Sequence, residues 1–308
     1  MKCQKTHKFL FALCLIAGFQ FSVDAQTTHN IYLSAAGGYS SFLLKDAPGF
    51  TAPGSWGGGF GAGYELNARA FILKFGAECT YLNAGLDFKN FTQQVDLIDD
   101  DNPSEPYTGN YAFRDNSDRY RFANINIPLM LGFRIQRFYL LAGGKVGFNL
   151  FRRNTTTSTV LSTGTYPGYI DDFENMPNHS FLEIQEKNEF TGKFPMNAYL
   201  SGEIGFYLNA NPANNTKYRV ATPGSKTRFR IAAFADYGLM NLRENSINES
   251  LTLQREDVAS PYRPYLNSFT RSENMRGSIL NNLFVGVRFT VLFGFERKPS
   301  CGCNSDYE

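Results

Sequence analysis

The sequence is poor in cysteine, histidine and tryptophan, with five, three and one in 308 residues. Setting aside its first 25 residues, it also has no surplus charge of either sign and no long apolar run. Each shortage excludes something. Cys3 and Cys14 lie within that start, which leaves Cys79 and the C-x-C pair Cys301 and Cys303 in the tail SCGCNSDYE. One cysteine and one close pair make no disulfide framework, and two thiols are too few for a structural zinc site. The whole chain carries 30 Lys and Arg against 28 Asp and Glu. Taking away three lysines (Lys2, Lys5, Lys8) and one aspartate (Asp24) leaves 27 of each, so no basic footprint for nucleic acid remains. No later stretch reaches the roughly 18 apolar residues of a helical membrane span.

The start itself has a reading. Lys2, Lys5 and Lys8 precede an apolar stretch from Phe9 to Phe21, and Val23 and Ala25 stand at the −3 and −1 positions of a cleavage site. This is the pattern of a secretory signal peptide cut after Ala25. The expected organisation is residues 1–25 as signal, 26–295 as a single β-domain, and 296–308 as a periplasmic tail.

What the sequence has in quantity is Phe (29), Tyr (17) and Gly (28), the composition of a strand-rich chain with many turns. In NINIPLMLGFRIQRFYLLAGGKVGFNL, Ile125, Ile127, Leu129, Leu131, Phe133 and Ile135 are apolar at every second position, and Phe138, Leu140, Ala142, Val146, Phe148 and Leu150 continue the rhythm. Period two means strands with one apolar face. Similar segments near Ile31–Leu43, Trp56–Leu66, Phe71–Tyr81, Met196–Leu208, Phe229–Leu239 and Leu283–Phe293 bring the count to about eight. Short connections (NARA, QR) alternate with long polar ones near residues 45–55, 83–119, 152–193 and 242–277. The connection at 209–226, on the short side, is itself long. Short turns at one rim and long loops at the other are the plan of an all-β, antiparallel, up-and-down transmembrane β-barrel.

The face opposite the apolar one separates a lipid-facing barrel from a soluble one. It holds many glycines, among them Gly57, Gly59, Gly61, Gly63, Gly76, Gly132, Gly143, Gly147, Gly205, Gly238 and Gly286. Glycine weakens a strand and serves no purpose on a solvated face, whereas an eight-stranded interior is barely wide enough for side chains. The same face carries Lys74, Arg134, Lys145, Arg230 and Arg288 with Glu65, Glu78, Glu203 and Asp236. These nine are expected to form a charge network in a plugged lumen. Tyr39, Trp56, Tyr64, Tyr81 and Phe138 suit interfacial girdles, and Cys79 is placed toward lipid. Pro128 has no N–H for the ladder, so a local bulge with an inward ring is expected there.

The stretches IPLMLGFR and FYLLAGGKVGF, the signal ending AQ and the glycine-rich early hairpin resemble the PorT-like outer-membrane β-barrel family of Bacteroidota. The likeness covers about Ile31 to Phe295, and the family is similar in architecture to OmpA- and OmpX-type eight-stranded barrels. One member type assists a protein secretion system, which the resemblance allows here. Such chains often end on a terminal aromatic, whereas this one runs on from Phe295 through ERKPSCGCNSDYE.

Chemistry is sparse. His179 and Ser180 with Asp171 and Asp172 nearby form the only cluster that imitates a hydrolase site, and adjacency in a loop does not make a nucleophile and base. Asp96, Asp99, Asp100, Asp101 and Glu105 lack the spacing and glycine of a calcium loop and read as a solvated acidic loop; Thr155–Thr165 reads as a flexible one. The expectation is a non-enzymatic outer-membrane protein without cofactor or metal. Its partners are membrane lipid and, through its surface loops, envelope or secretion proteins or surface glycans. A small-solute channel or transporter, or an accessory barrel of a protein secretion system, is the alternative.

Overall fold

The computed structural model describes residues 27–68, 70–98, 106–165, 179–192, 196–208, 227–242, 268–271, 275 and 277–295. The proposed signal, the tail with Cys301 and Cys303, and most of the acidic stretch lie outside these residues. Among the described residues there are eleven strands: β1 (Thr27–Lys45), β2 (Phe50–Thr51), β3 (Gly54–Ala68), β4 (Phe71–Phe88), β5 (Phe91–Ile98), β6 (Pro106–Ile135), β7 (Phe138–Thr165), β8 (His179–Gly192), β9 (Asn197–Tyr207), β10 (Thr227–Gly238) and β11 (Ile279–Phe295). Eight of them form a closed antiparallel ring, β1-β3-β4-β6-β7-β9-β10-β11, which returns to β1 through pairs such as Ala35 with Phe289. Closure removes every sheet edge within the ring.

Exposure settles which face meets lipid. Ile127, Leu129 and Leu131 are 52, 60 and 64% exposed, while Lys74, Glu65 and Arg230 are 0% exposed. A water-soluble barrel would have the reverse. On β4 the outward run Phe71–Tyr81 covers ten residue steps at about 3.4 Å each, tilted by about 40°, hence a band about 26 Å tall, the height of an outer-membrane apolar belt. Its upper margin carries Tyr39, paired with Trp56, then Tyr81 and Phe151; Trp56 and Tyr81 lie 5.6 Å apart and Tyr81 and Phe151 6.2 Å apart. Tyr64 and Phe138 mark the other margin, beside Phe75 and Phe206. Cys79 is exposed on the outer face.

Two expectations need correction. Much of what reads as loop at 83–119 and 152–193 is strand. Beyond the girdle β4, β6 and β7 do not stop: β5 and β8 take over from β4 and β9 as partners of β6 and β7. The result is a four-stranded palisade, β5-β6-β7-β8, above one side of the ring. NTTTSTV is rich in β-branched residues, which favour strands, and its Thr156 and Ser158 are buried while their neighbours are partly exposed. The second concerns Pro128. It points inward, but no bulge forms there; pairing to β4 is absent only at Ile127 and Pro128, and the register is kept from Leu129 to Asn126. The bulge falls at Leu150, between the pairs Ala123–Phe151 and Asn124–Asn149, and turns Leu150 and Phe151 outward together.

Candidate functional site

The candidate site is the barrel interior and its mouth on the long-loop side. Inward positions have period two on all eight ring strands, so side chains from opposite walls meet at each level. Glycines make the room. A Cβ on Gly76 would stand 2.4 Å from the Ala62 carbonyl oxygen and 2.5 Å from Tyr32 Oη, and one on Gly63 2.7 Å from the same ring. The Tyr32 side chain thus lies across these two glycines.

At mid-height the charged side chains interlock. Lys74 Nζ is 3.3 Å from Glu203 Oε2, and Arg288 Nη1 is 2.9 Å from the same oxygen. Arg288 also reaches Glu78 at 3.2 Å. Lys145 Nζ bridges Glu78 (2.7 Å) and Asp236 (2.8 Å). Tyr139 donates to Glu203 (2.6 Å) and Ser201 to Asp236 (2.6 Å). Arg230 forms a second group with Glu65, 2.8 Å away but off the hydrogen-bonding line. It lies over the Tyr139 ring at 4.5 Å, as Lys74 lies over Tyr32 (4.7 Å) and Arg288 over Phe234 (4.8 Å). Of the nine charges singled out in the sequence, eight lie in these two groups. Arg134 does not: it sits half-buried at the short-turn rim, over the Tyr207 ring at 4.3 Å, and donates to the Gln136 carbonyl.

Apolar belts lie above and below the charges. Beneath are Ile72, Met130, Tyr139, Leu141, Tyr207 and Leu292. Above are Phe42, Leu82, Tyr120, Phe122, Phe234 and Phe284. A cavity of about 10 Å³ between charge layer and upper belt, lined by residues including Asn126, Lys145, Tyr199 and Asp236, has room for one water. Glycine and charge alone do not mark these belts on the inner face. The signal was there: Tyr32, Leu82, Met130, Phe234 and Leu292 fall in the inward phase.

The mouth holds a further arrangement that the sequence did not reveal. Asp118 is fully buried above the girdle. Its Oδ1 accepts from Thr156, and its Oδ2 from Tyr120 Oη (3.0 Å), Ser268 Oγ (3.0 Å) and the Phe269 N–H (2.8 Å). Ser268 and Phe269 belong to the β10–β11 connection. Phe269 is fully buried against the concave side of the palisade, in a cluster with Phe88, Phe113, Val160 and Met275. Burial pushes the Asp118 carboxyl above the ordinary carboxylate range, and its four donors only partly offset this. Burial, then the Asp118 charge, raises the Tyr120 phenol; the Arg152 guanidinium over its ring, 5.1 Å away, acts the other way.

His179 and Ser180 lie in β8, paired with Gly164 and Thr163 respectively, and Asp171 and Asp172 lie outside the described residues. Asp96 is in β5, where Thr108 donates to it. Among the described residues no three of His, Cys, Asp and Glu gather in a metal-binding set.

No curated protein matches the chain. Among solved structures, two of Ail, the attachment invasion locus protein of Yersinia pestis, are similar. One, in complex with the heparin analogue sucrose octasulfate, is 11% identical over 85% of this chain and 98% of that one, with a TM-score of 0.24. The other is 10% identical over 85% and 97%, with a TM-score of 0.26. The translocator domain of the autotransporter NalP from Neisseria meningitidis is 7% identical over 94% and 95%, with a TM-score of 0.14. A family model described as "Outer membrane protein beta-barrel domain" matches residues 25–242, most of the chain. With that match and a closed ring turned apolar side out, the chain belongs to the outer membrane protein β-barrel family and resides in the outer membrane.

Proposed function

We propose that this barrel is a PorT-like, non-conducting member of its family, exported by a signal peptide cut after Ala25, that works by contact rather than by transport or catalysis. Its lumen is plugged by its own side chains, and its palisade and surface loops meet a partner: an envelope or secretion-machinery protein, or a surface glycan. The observation that carries this reading is the charge layer. Four cations and four anions fill the mid-lumen between two apolar belts, and the cavity beside them has room for one water. A constitutive pore in an eight-stranded barrel would need that space.

Planar-bilayer recording on the purified full chain tests the plug, with no steady conductance expected. A stable open current in wild-type protein would favour the small-solute channel instead. Pull-down from solubilised outer membranes with mass spectrometry tests the contact reading. A stoichiometric envelope partner, lost when residues 106–115 of the palisade are replaced, is the expected result.

A further inference from the structure

Just above the girdle the outer wall changes chemistry within one step. On the β6–β7 ladder the last apolar pair is Ala123 with Phe151; the next outward pair is Arg121 with Arg153, both exposed. A third cation continues the row: Arg119, next outward on β6, extends over Gly85, where a Cβ would stand 2.4 Å from its Nη1, to Asp87 Oδ1 at 2.7 Å. Below them lie the rings of Tyr81 and Phe151, 6.2 Å apart, and the outward Leu150. Two residues along a strand are about 7 Å, so the guanidinium groups stand one headgroup's height above the hydrocarbon margin.

We propose that Arg121 and Arg153, with Arg119 at the upper edge, form a binding site for the phosphate of an anionic, acylated lipid of the outer leaflet, whose acyl chains lie along Tyr81, Phe151 and Leu150. A phosphate between the two arginines receives a charge-assisted contact from each. Each guanidinium has five donors, so one engaged with a protein carboxylate, as Arg119 is, still has donors for a phosphate oxygen. Free phosphate satisfies only the polar half of such a site; the apolar half selects a lipid. This site is on the outer wall and does not depend on whether the lumen conducts.

The test uses the full chain in detergent micelles, titrated with lipid A (an acylated glucosamine disaccharide bisphosphate) and with the same lipid after phosphatase treatment, with retained lipid counted by native mass spectrometry. Wild-type protein should keep the phosphorylated lipid and lose the dephosphorylated one. Arg121→Gln/Arg153→Gln should weaken retention by about tenfold or more, Arg121→Lys/Arg153→Lys by less, and Arg137→Gln at the opposite rim should change nothing. Folding of each variant is read from its heat-dependent gel migration. Where the Gln variant does not fold, the two lipids on wild-type protein decide. Equal retention of both lipids, undiminished binding by the folded Gln variant, or displacement of the lipid by millimolar inorganic phosphate would overturn the proposal.

Discussion

At the scale of single residues, Asp118 is the position where the chemistry is most exposed to test. Its folded carboxyl is raised by burial, so the folded state favours the protonated form. That contribution to stability is fully present below the unfolded carboxylate value of about 3.9 and is lost as pH rises through the higher folded value. Tyr120 and Arg152 are the titratable neighbours; neither changes charge in the acid range. Closure of Ser268–Arg271 over the mouth should therefore strengthen as pH is lowered from 7 toward 4, read as slower proteolysis of that connection by an acid-tolerant protease. Asp118→Asn should flatten this dependence, because the amide keeps an oxygen for the Phe269 N–H. Asp118→Ala strands that donor and should cost about 1–3 kcal/mol in urea unfolding at neutral pH. A pH profile unchanged by Asp118→Asn would assign the effect elsewhere. Cys79 gives a second single-residue test. In Cys301→Ser/Cys303→Ser protein in membranes, a bilayer-partitioning thiol reagent should label it and a charged aqueous maleimide should not.

At the scale of elements, the faces of the ring strands were legible and their ends were not. Lipid on one side and a crowded interior on the other impose period two from Ile125 to Ile135, and any reader of alternation finds it. Above the girdle the outer side meets water, so Thr155, Thr157 and Thr159 no longer contrast with the buried Thr156 and Ser158, and the periodic signal fades where the strand does not. Tertiary partnership was invisible for another reason: Asp118 and Ser268 are 150 residues apart, with no local pattern at either. The charged lumen residues were legible as a set, from their phase, but not as pairs. Glycine placement makes the element-scale prediction. Gly76→Val puts carbon into the Ala62 backbone and Tyr32 and should destabilise the barrel by about 1–3 kcal/mol. Gly37→Ala, on an outward site with nothing within 4 Å of the new methyl, should cost nothing measurable. Equal midpoints in urea for the two variants would mean the interior is looser than drawn.

At the scale of the whole molecule, the charge layer and the exposed pair Arg119–Asp87 provide an internal comparison. Breaking a buried pair by Glu203→Ala leaves Lys74 and Arg288 short of a partner and should cost about 3–5 kcal/mol. Asp87→Ala, in a pair about half exposed, should cost about 0–1 kcal/mol. Unfolding in urea from liposomes measures both, and lumen variants no weaker than Asp87→Ala would point to a hydrated interior.

The lumen ion pairs have one more property: among the described residues none joins neighbouring strands. Lys74 and Glu203 link β4 to β9, Lys145 links β7 to β4 and β10, Arg230 and Glu65 link β10 to β3, and Arg288 links β11 to β4 and β9. A flat sheet entering the bilayer cannot make any of them, so it would present four cations and four anions to hydrocarbon at once. The assembly pathway is thereby stripped of stable stopping points. Hairpins added one at a time gain these contacts only as the sheet curls, and the Arg230–Glu65 pair, which lies across the β1–β11 seam, forms only when that seam joins. Insertion should run as a single kinetic event, with the β1–β11 seam as its final and committing step.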